Sequence, residues 1–343
     1  MPKRNVCFVT GSRAEYGLLA PVMEAVRQEP IFLLRVIVTG MHLSRQFGLT
    51  WREIAGDGFP IDDKVDLELS SDTPASVTRS LGKGVMGFAD ALERLRPDLL
   101  VLLGDRYEIL AAAQAALIGR IPVAHIAGGD TTEGAFDEAI RHSITKMAHL
   151  HFVTNEAAAR RVRQLGEDPA HVYNVGSPGI DVIKKVKLLN RAELERELGF
   201  TFRKRNLLVT FHPATLDDQP AGVQFREVLA ALDRLGDNVG VIFTLPNADP
   251  DGKMIINLLE KYTSTRPHTK SFASLGQLRY LSSIAQVDAV VGNSSSGLYE
   301  VPSFRKPTVN IGDRQKGRLQ ASSVINCRSE SHDIERAVHE AFM

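Results

Sequence analysis

Short apolar, β-branched runs alternate with amphipathic stretches along almost the whole chain. The runs at 5–10, 33–39, 99–103, 123–126, 151–153 and 172–175 are continuous and too short for helices, so they read as buried strands. A helix ending near Gln28 and others over 75–95, 137–148 and 156–165 carry apolar residues at helical spacing. An alanine-rich helix fills the gap after 99–103, and 64–69 reads as a further strand. Residues 41–60 show neither period apart from a short helix over 51–56, and a loop that long is usually functional or mobile. Gly176-Ser177-Pro178-Gly179 and two charged helical pieces, 180–188 and 191–198, interrupt the alternation. It resumes with strands at 206–211, 239–244, 269–272, 289–292 and 308–311, the last expected to end the main sheet. The helices between them lie near 225–235, 252–263 and 275–285; another starts near Ser296, and 331–341 is the last. Strand–helix alternation of this kind predicts parallel sheets with crossover helices. The expected architecture is α/β: two Rossmann-like domains, 1–178 and 179–343, facing one another across a cleft.

At 343 residues the chain is long for one domain, and 43% hydrophobic residues suffice for sizeable cores. Lys plus Arg equals Asp plus Glu at 41 each, so the net charge is zero and gives no support for nucleic acid or an anionic membrane as partner. Cys7 and Cys327 stand far apart without metal spacing, which suggests a reducing compartment and argues against a disulfide framework or a zinc site. Met-Pro-Lys-Arg runs straight into the first strand without a signal-peptide pattern, and no apolar run approaches the ~20 residues of a membrane span. A cytoplasmic protein without metal or cofactor is the expectation.

Ligands of open α/β sheets bind outside the carboxyl ends of the strands, so those positions carry the candidate chemistry. Gly11-Ser12-Arg13 leaves the first strand and opens a helix. It reads equally as an anion site with an arginine fork or as an ordinary turn whose arginine pairs with a surface acid. Asp105 and Arg106 follow strand 99–103; Asp105 is either functional or a plain helix N-cap. After strand 123–126, Gly128-Gly129 permits close approach of backbone to a ligand, and Asp130, Glu133, Asp137 and Glu138 make the next loop acidic. His125 lies inside that strand and reads better as structural. Asp137 reads as an N-cap, with Arg141 and His142 one turn on, or as the partner of Asp105 in proton transfer. Two carboxylates in unlike environments can take opposite acid and base roles.

In the second half, His212 tips a strand, a placement that favours function. Asn247, in Leu245-Pro246-Asn247-Ala248-Asp249, suits a base or ribose. Gly292-Asn293-Ser294-Ser295-Ser296-Gly297 offers hydroxyls and free N–H groups after a strand, an anion cradle or a serine-rich cap. Glu300, one turn on, suits a ribose diol, and Arg314 suits a phosphate. Gly82-Lys83-Gly84-Val85-Met86-Gly87 spells a dinucleotide fingerprint, but it lies within a helical pattern and follows no strand, so it reads as close helix packing.

Five motifs in register carry a resemblance: Gly11-Ser12-Arg13-Ala14-Glu15-Tyr16, Leu103-Gly104-Asp105-Arg106, His125-Ile126-x-Gly128-Gly129, Ile140-Arg141-His142-x-Ile144-Thr145-Lys146 and Gly292-Asn293-Ser294-Ser295. Together they resemble the hydrolysing UDP-N-acetylglucosamine 2-epimerases of sialic acid and related nonulosonic acid synthesis. The resemblance implies a glycosyltransferase-B architecture with UDP in the cleft. It implies proton removal at C2, loss of UDP, a glycal intermediate and hydration to the 2-epimeric free sugar, without metal or nicotinamide. It places catalytic carboxylates at Asp105 and Asp137 and uridine and diphosphate contacts at Arg13, His212, Asn247, Ser294, Ser295, Glu300 and Arg314; Arg106 and His142 are further candidates for substrate binding. It also implies a homo-oligomer, dimer or tetramer, and a terminal closing helix that is short or missing here. Some members of the family carry a catalytic glutamate directly before Gly-Gly, where this chain has Ala127. Either Asp130, Glu133 or His125 substitutes, or the branch handles a related substrate; Glu133 and His212 join Asp105 and Asp137 as the catalytic candidates. A UDP-2,4-diacetamido-trideoxyhexose, the legionaminic acid precursor, is the natural one. The competing readings are a glycosyltransferase of the same architecture and a nucleotide-sugar binding protein with a defective site.

Overall fold

The structure, a computed structural model, describes residues 3–69, 71, 73–133, 135–214, 219–246 and 251–343. The chain divides into two compact units, Met1–Thr131 with Phe136–Val182, and Thr132–Ala135 with Ile183–Met343. The first unit contains strands β1 (Arg4–Thr10), β2 (Phe32–Thr39), β3 (Asp63–Val65), β4 (Leu99–Leu103), β5 (Val123–Ile126), β6 (Leu150–Val153) and β7 (Val172–Asn174). Its helices are α1 (Arg13–Gln28), α2 (Trp51–Gly56), α3 (Pro74–Leu95), α4 (Tyr107–Ile118), α5 (Asp137–Met147) and α6 (Glu156–Gln164), and α7 (Pro178–Lys185) leads out of it. The second unit contains α8 (Arg191–Leu198), β8 (Arg205–Thr210), α9 (Ala221–Leu235), β9 (Val239–Thr244), α10 (Gly252–Thr263), β10 (Thr269–Phe272) and α11 (Gly276–Gln286). It continues with β11 (Ala289–Gly292), α12 (Ser296–Tyr299), β12 (Thr308–Ile311), β13 (Val324–Cys327) and α13 (Ser331–Ala341).

Both sheets are parallel throughout, ordered β3-β2-β1-β4-β5-β6-β7 and β10-β9-β8-β11-β12-β13. This is the doubly wound order, twice: each sheet starts in its middle and reverses direction between its first and fourth strands. Strands buried on both faces need no polar alternation, which is why Leu-Leu-Val-Leu-Leu makes β4. Successive side chains still part to opposite faces. Cys7, Val9, Leu100 and Leu102 join one core with Phe88 and the alanines of α4, while Val6, Phe8, Val101 and Leu103 join the other with Leu19 and Met23.

Ala111, Ala112, Ala113, Ala115 and Ala116 are all buried, so α4 has almost no polar face and packs against α3. A Cβ on Gly84 of α3 would stand 2.8 Å from Leu67 Cδ2 and 3.0 Å from the Ala111 methyl. Gly84 therefore serves close packing, as does Gly87, where a Cβ would stand 2.8 Å from Val65 Cγ1, whereas a Cβ on Gly82 would meet nothing within 4 Å. Strand 64–69 of the sequence reading shrinks to β3, and β13, a parallel partner of β12, lies beyond the strand expected to close the second sheet. Its residues are partly exposed or exposed, and one of its four is Asn326 in an edge position, so its apolar signal is weak. Among the described residues no helix is long and apolar enough to cross a membrane.

Candidate active site

In the N-terminal unit the reversal falls between β1 and β4. Ser12 caps α1, its hydroxyl accepting from Glu15 N at 3.4 Å. Arg13 pairs with Glu53 of α2, the surface-acid reading of that arginine, and its buried Nε has no hydrogen-bond partner among the described residues. Beside the turn lie two buried carboxyls. Glu15 Oε2 accepts from Gly11 N at 2.6 Å, and Glu108 Oε1 accepts from Arg106 Nε at 2.7 Å. Burial, with the charge of Glu108 adding to it, pushes Glu15 up to about 8.

Past β4, the N-cap of α4 is Arg106, so Asp105 is not the helix cap. Its carboxylate is paired with Arg141 of α5. Arg141 is only 2% exposed and also donates to the Asp130 carbonyl at 2.9 Å. Asp137 opens α5, where the helix dipole favours a carboxylate, and it stands one turn before Arg141 on the same face. One buried guanidinium thus holds Asp105 and shares a helix face with Asp137. His142, the next residue, is half-buried, and its Nδ1 has no hydrogen-bond partner among the described residues; burial lowers its pKa, and Glu138, 3.8 Å from Nε2, opposes that shift.

His125 is structural. Its Nε2 faces the Gly104 carbonyl at 2.7 Å and so carries the proton, leaving Nδ1 toward the Thr145 hydroxyl at 3.2 Å. Burial lowers its pKa to about 4. The unfolded chain, titrating near the ordinary value of about 6.5, takes up the proton first, so acidification from about 6.5 toward 4 removes about 3 kcal/mol of stability through this residue. Glu15 acts in the opposite sense between its unfolded value of 4.5 and about 8, because there the folded state holds the extra proton. The direct check is carbon-13 NMR of His125: neutral imidazole shifts are expected down to pH near 5, and a midpoint at the ordinary histidine value would overturn this reading.

Gly128 and Gly129 are required by the protein's own packing. A Cβ on Gly128 would sit 2.9 Å from both His125 Nδ1 and Thr145 Oγ1, and one on Gly129, which has φ +81°, would sit 2.5 Å from the Ala158 carbonyl of α6. The pair is small because the protein itself fills that space. Ala127, just before it, has φ +63°, a left-handed conformation uncommon for a non-glycine residue and often found at functional sites. None of the three candidates to replace a glutamate there has the posture of a base. His125 is enclosed and neutral. The Asp130 carboxylate accepts from Thr154 at 3.3 Å and Asn155 at 3.2 Å. Glu133 is exposed, grouped with the C-terminal unit, and 3.9 Å from Lys316 Nζ.

In the C-terminal unit the reversal falls between β8 and β11. His212, past the end of β8, is 7% exposed. Asn293, past β11, grips it at both main-chain groups: its Oδ1 accepts from His212 N at 2.7 Å and its Nδ2 donates to His212 O at 2.8 Å. The Asn293 carbonyl in turn accepts from Arg314 Nη1 at 3.2 Å and Gln315 Nε2 at 2.7 Å, both past β12. Three neighbouring strand ends are thereby tied through one asparagine. Ser294 and Ser295 are half-buried beside it, but α12 has only four residues and Ser295 makes no side-chain cap bond, so the helix-dipole part of the anion-cradle expectation falls away. Glu300 follows α12; Ser296 donates to its Oε2, and Tyr280 of α11 donates to Ser296 Oγ at 2.8 Å. Asn247 lies outside the described residues. Among the described residues, no three His, Cys, Asp or Glu side chains come together as a metal site.

The structure thus adds Arg141, Asn293, Gln315 and Tyr280 to the candidates. Arg141 and Asn293 stood within motifs without a role, and nothing local singled out Gln315 or Tyr280.

Two doubly wound sheets with polar side chains gathered at both reversals define an α/β protein of two Rossmann-like domains, of the glycosyltransferase-B type. The chain belongs to the UDP-N-acetylglucosamine 2-epimerase family, whose model matches residues 24–343. It is 42% identical to the GDP/UDP-N,N′-diacetylbacillosamine 2-epimerase (hydrolyzing) of Campylobacter jejuni, over 98% of this chain and 87% of that one. It is 36% identical to the UDP-N,N′-diacetylbacillosamine 2-epimerase (hydrolyzing) of Legionella pneumophila, over 94% of this chain and 85% of that one. The fold is also similar to that of the UDP-GlcNAc 2-epimerase from Neisseria meningitidis bound to UDP-GlcNAc, with TM-score 0.77, 18% identity, and coverage of 98% of this chain and 91% of that one.

Proposed function

We propose that this protein is a hydrolysing 2-epimerase of a UDP-N-acetylhexosamine, with a UDP-2,4-diacetamido-2,4,6-trideoxyglucose preferred over UDP-GlcNAc. The observation that carries the reaction is the buried Arg141, which holds Asp105 and shares a helix face with Asp137. A carboxylate takes the proton from C2 of the sugar; the C1–O bond breaks and its electron pair leaves with UDP; C1 and C2 become doubly bonded. Water then returns a hydroxyl to C1 and a proton to C2 from the other face, giving UDP and the 2-epimeric free sugar. Asp105 and Asp137 divide the base and acid roles. His212, Ser294, Ser295 and Arg314 are assigned to the diphosphate, where cations and N–H donors stabilise charge developing on the leaving group. Glu300 is assigned to the ribose. Arg106 and His142 are assigned to the sugar side.

The substrate preference rests on Ala127 and on the two relatives named for diacetylbacillosamine. Among the described residues neither Asp130 nor Glu133 takes up the posture of the missing glutamate, which favours a site adapted to a different sugar over one repaired for UDP-GlcNAc.

Proton NMR of the reaction in heavy water tests the chemistry. Free sugar with deuterium at C2 and the inverted configuration is expected. Release of sugar with hydrogen retained at C2 would rule out elimination, and turnover only with an added acceptor would make the protein a glycosyltransferase. Competition between the two UDP-sugars, followed in one tube, reads the preference. A homo-oligomer, dimer or tetramer, is proposed from the family resemblance and is read by sedimentation.

A further inference from the structure

The carboxyl of Glu300 has two unlike oxygens. Oε2 accepts from the Ser296 hydroxyl, which accepts in turn from the Tyr280 hydroxyl at 2.8 Å. Oε1 has no hydrogen-bond partner among the described residues. Each hydroxyl of the relay has one proton, and both protons point toward Glu300. The relay ends on an acceptor and therefore favours the ionised carboxylate, opposing the upward shift that burial imposes. It also fixes the plane of the carboxylate, because one oxygen is held by the first residue of α12 and that residue by the neighbouring helix α11. Hydroxyl chains of this kind polarise one another, so the distal phenol matters to the terminal acceptor without touching it.

We infer that Tyr280, acting through Ser296, is a positioning residue that keeps the Glu300 carboxyl turned so that its second oxygen accepts from a ribose hydroxyl of the uridine nucleotide. This rests on the assignment of Glu300 to ribose made above. Tyr280 itself touches no substrate. Its ring belongs to the packing, and only its hydroxyl belongs to the relay.

The test compares binding of UDP with that of 2′,3′-dideoxy-UDP, which lacks the diol, by isothermal titration calorimetry on the full chain. The variants are Tyr280→Phe, Ser296→Ala and Glu300→Ala, each checked for an unchanged melting temperature. Tyr280→Phe removes one hydroxyl and keeps the ring, so it is the variant least exposed to a folding defect; Ser296→Ala breaks the same relay at a second point. UDP affinity is expected to fall about 3–10-fold in Tyr280→Phe, the size of one hydrogen bond, with dideoxy-UDP unaffected. Ser296→Ala should behave alike, and Glu300→Ala should abolish the preference for UDP. In turnover, Tyr280→Phe should raise KM with kcat unchanged.

Equal losses for both ligands in Tyr280→Phe would mark a merely structural tyrosine and overturn the inference. A preference that survives Tyr280→Phe intact but is lost in Glu300→Ala would also overturn it, while leaving the ribose assignment standing. If Glu300→Ala kept the preference, the ribose assignment itself would fall, and the positioning role with it.

Discussion

Asp105→Asn is expected to lower kcat by about 10²–10⁴, the range for loss of a proton-transferring group, while UDP still binds. The amide keeps an oxygen for Arg141 and keeps the volume of the side chain, so little but the ionisable carboxylate is removed. Asp137→Asn should give a fall of the same order, because proton removal at C2 and proton return on the other face need two groups. Calorimetric UDP affinity separates a catalytic loss from a collapsed site: it should stay near the wild-type value in both variants, since the nucleotide is assigned to the C-terminal unit. Unchanged turnover in either variant would remove that residue from the proposed chemistry.

Arg141→Met carries the second large effect, on stability. The guanidinium is 2% exposed and holds both Asp105 and the Asp130 carbonyl, so its removal takes the charge partner from a carboxylate and a donor from that carbonyl. Breaking a buried pair by removing one partner typically costs 3–5 kcal/mol; because Asp105 keeps 21% exposure, a loss of about 3 kcal/mol is expected. Urea unfolding measures it. The double variant Asp105→Asn with Arg141→Met should recover part of that loss, because the stranded charge is then gone, and strict additivity would show that the pair is not coupled.

The alternation of apolar runs located nearly every strand and helix, since buried parallel strands read as unbroken apolar stretches whatever their neighbours. It failed at β13, an edge strand with only partial burial, and after Val65 in 64–69, where Leu67 and Leu69 alternate with Asp66 and Glu68 in a strand-like pattern without being paired. The strand-end rule also located the candidate chemistry, because it depends only on where each strand stops. What it could not deliver were partnerships across sequence distance. Asp105 and Arg141 meet across 36 positions, and His212 and Asn293 across 81, with no local mark on either pair. Gly128-Gly129 shows the same limit: a glycine needed for room looks alike in sequence whether a ligand or a helix carbonyl calls for it, and here His125, Thr145 and the Ala158 carbonyl do.

The two polar clusters respond to solution conditions in different ways. At the head of α5 the hold on Asp105 is an ion pair, weakened by acid and screened by electrolyte in proportion to its exposure. Around β8 and β11 the brace is a carboxamide, which neither gains nor loses charge across the physiological range. A drop in pH or a rise in ionic strength should therefore loosen the proton-handling machinery while the seat of His212 keeps its shape.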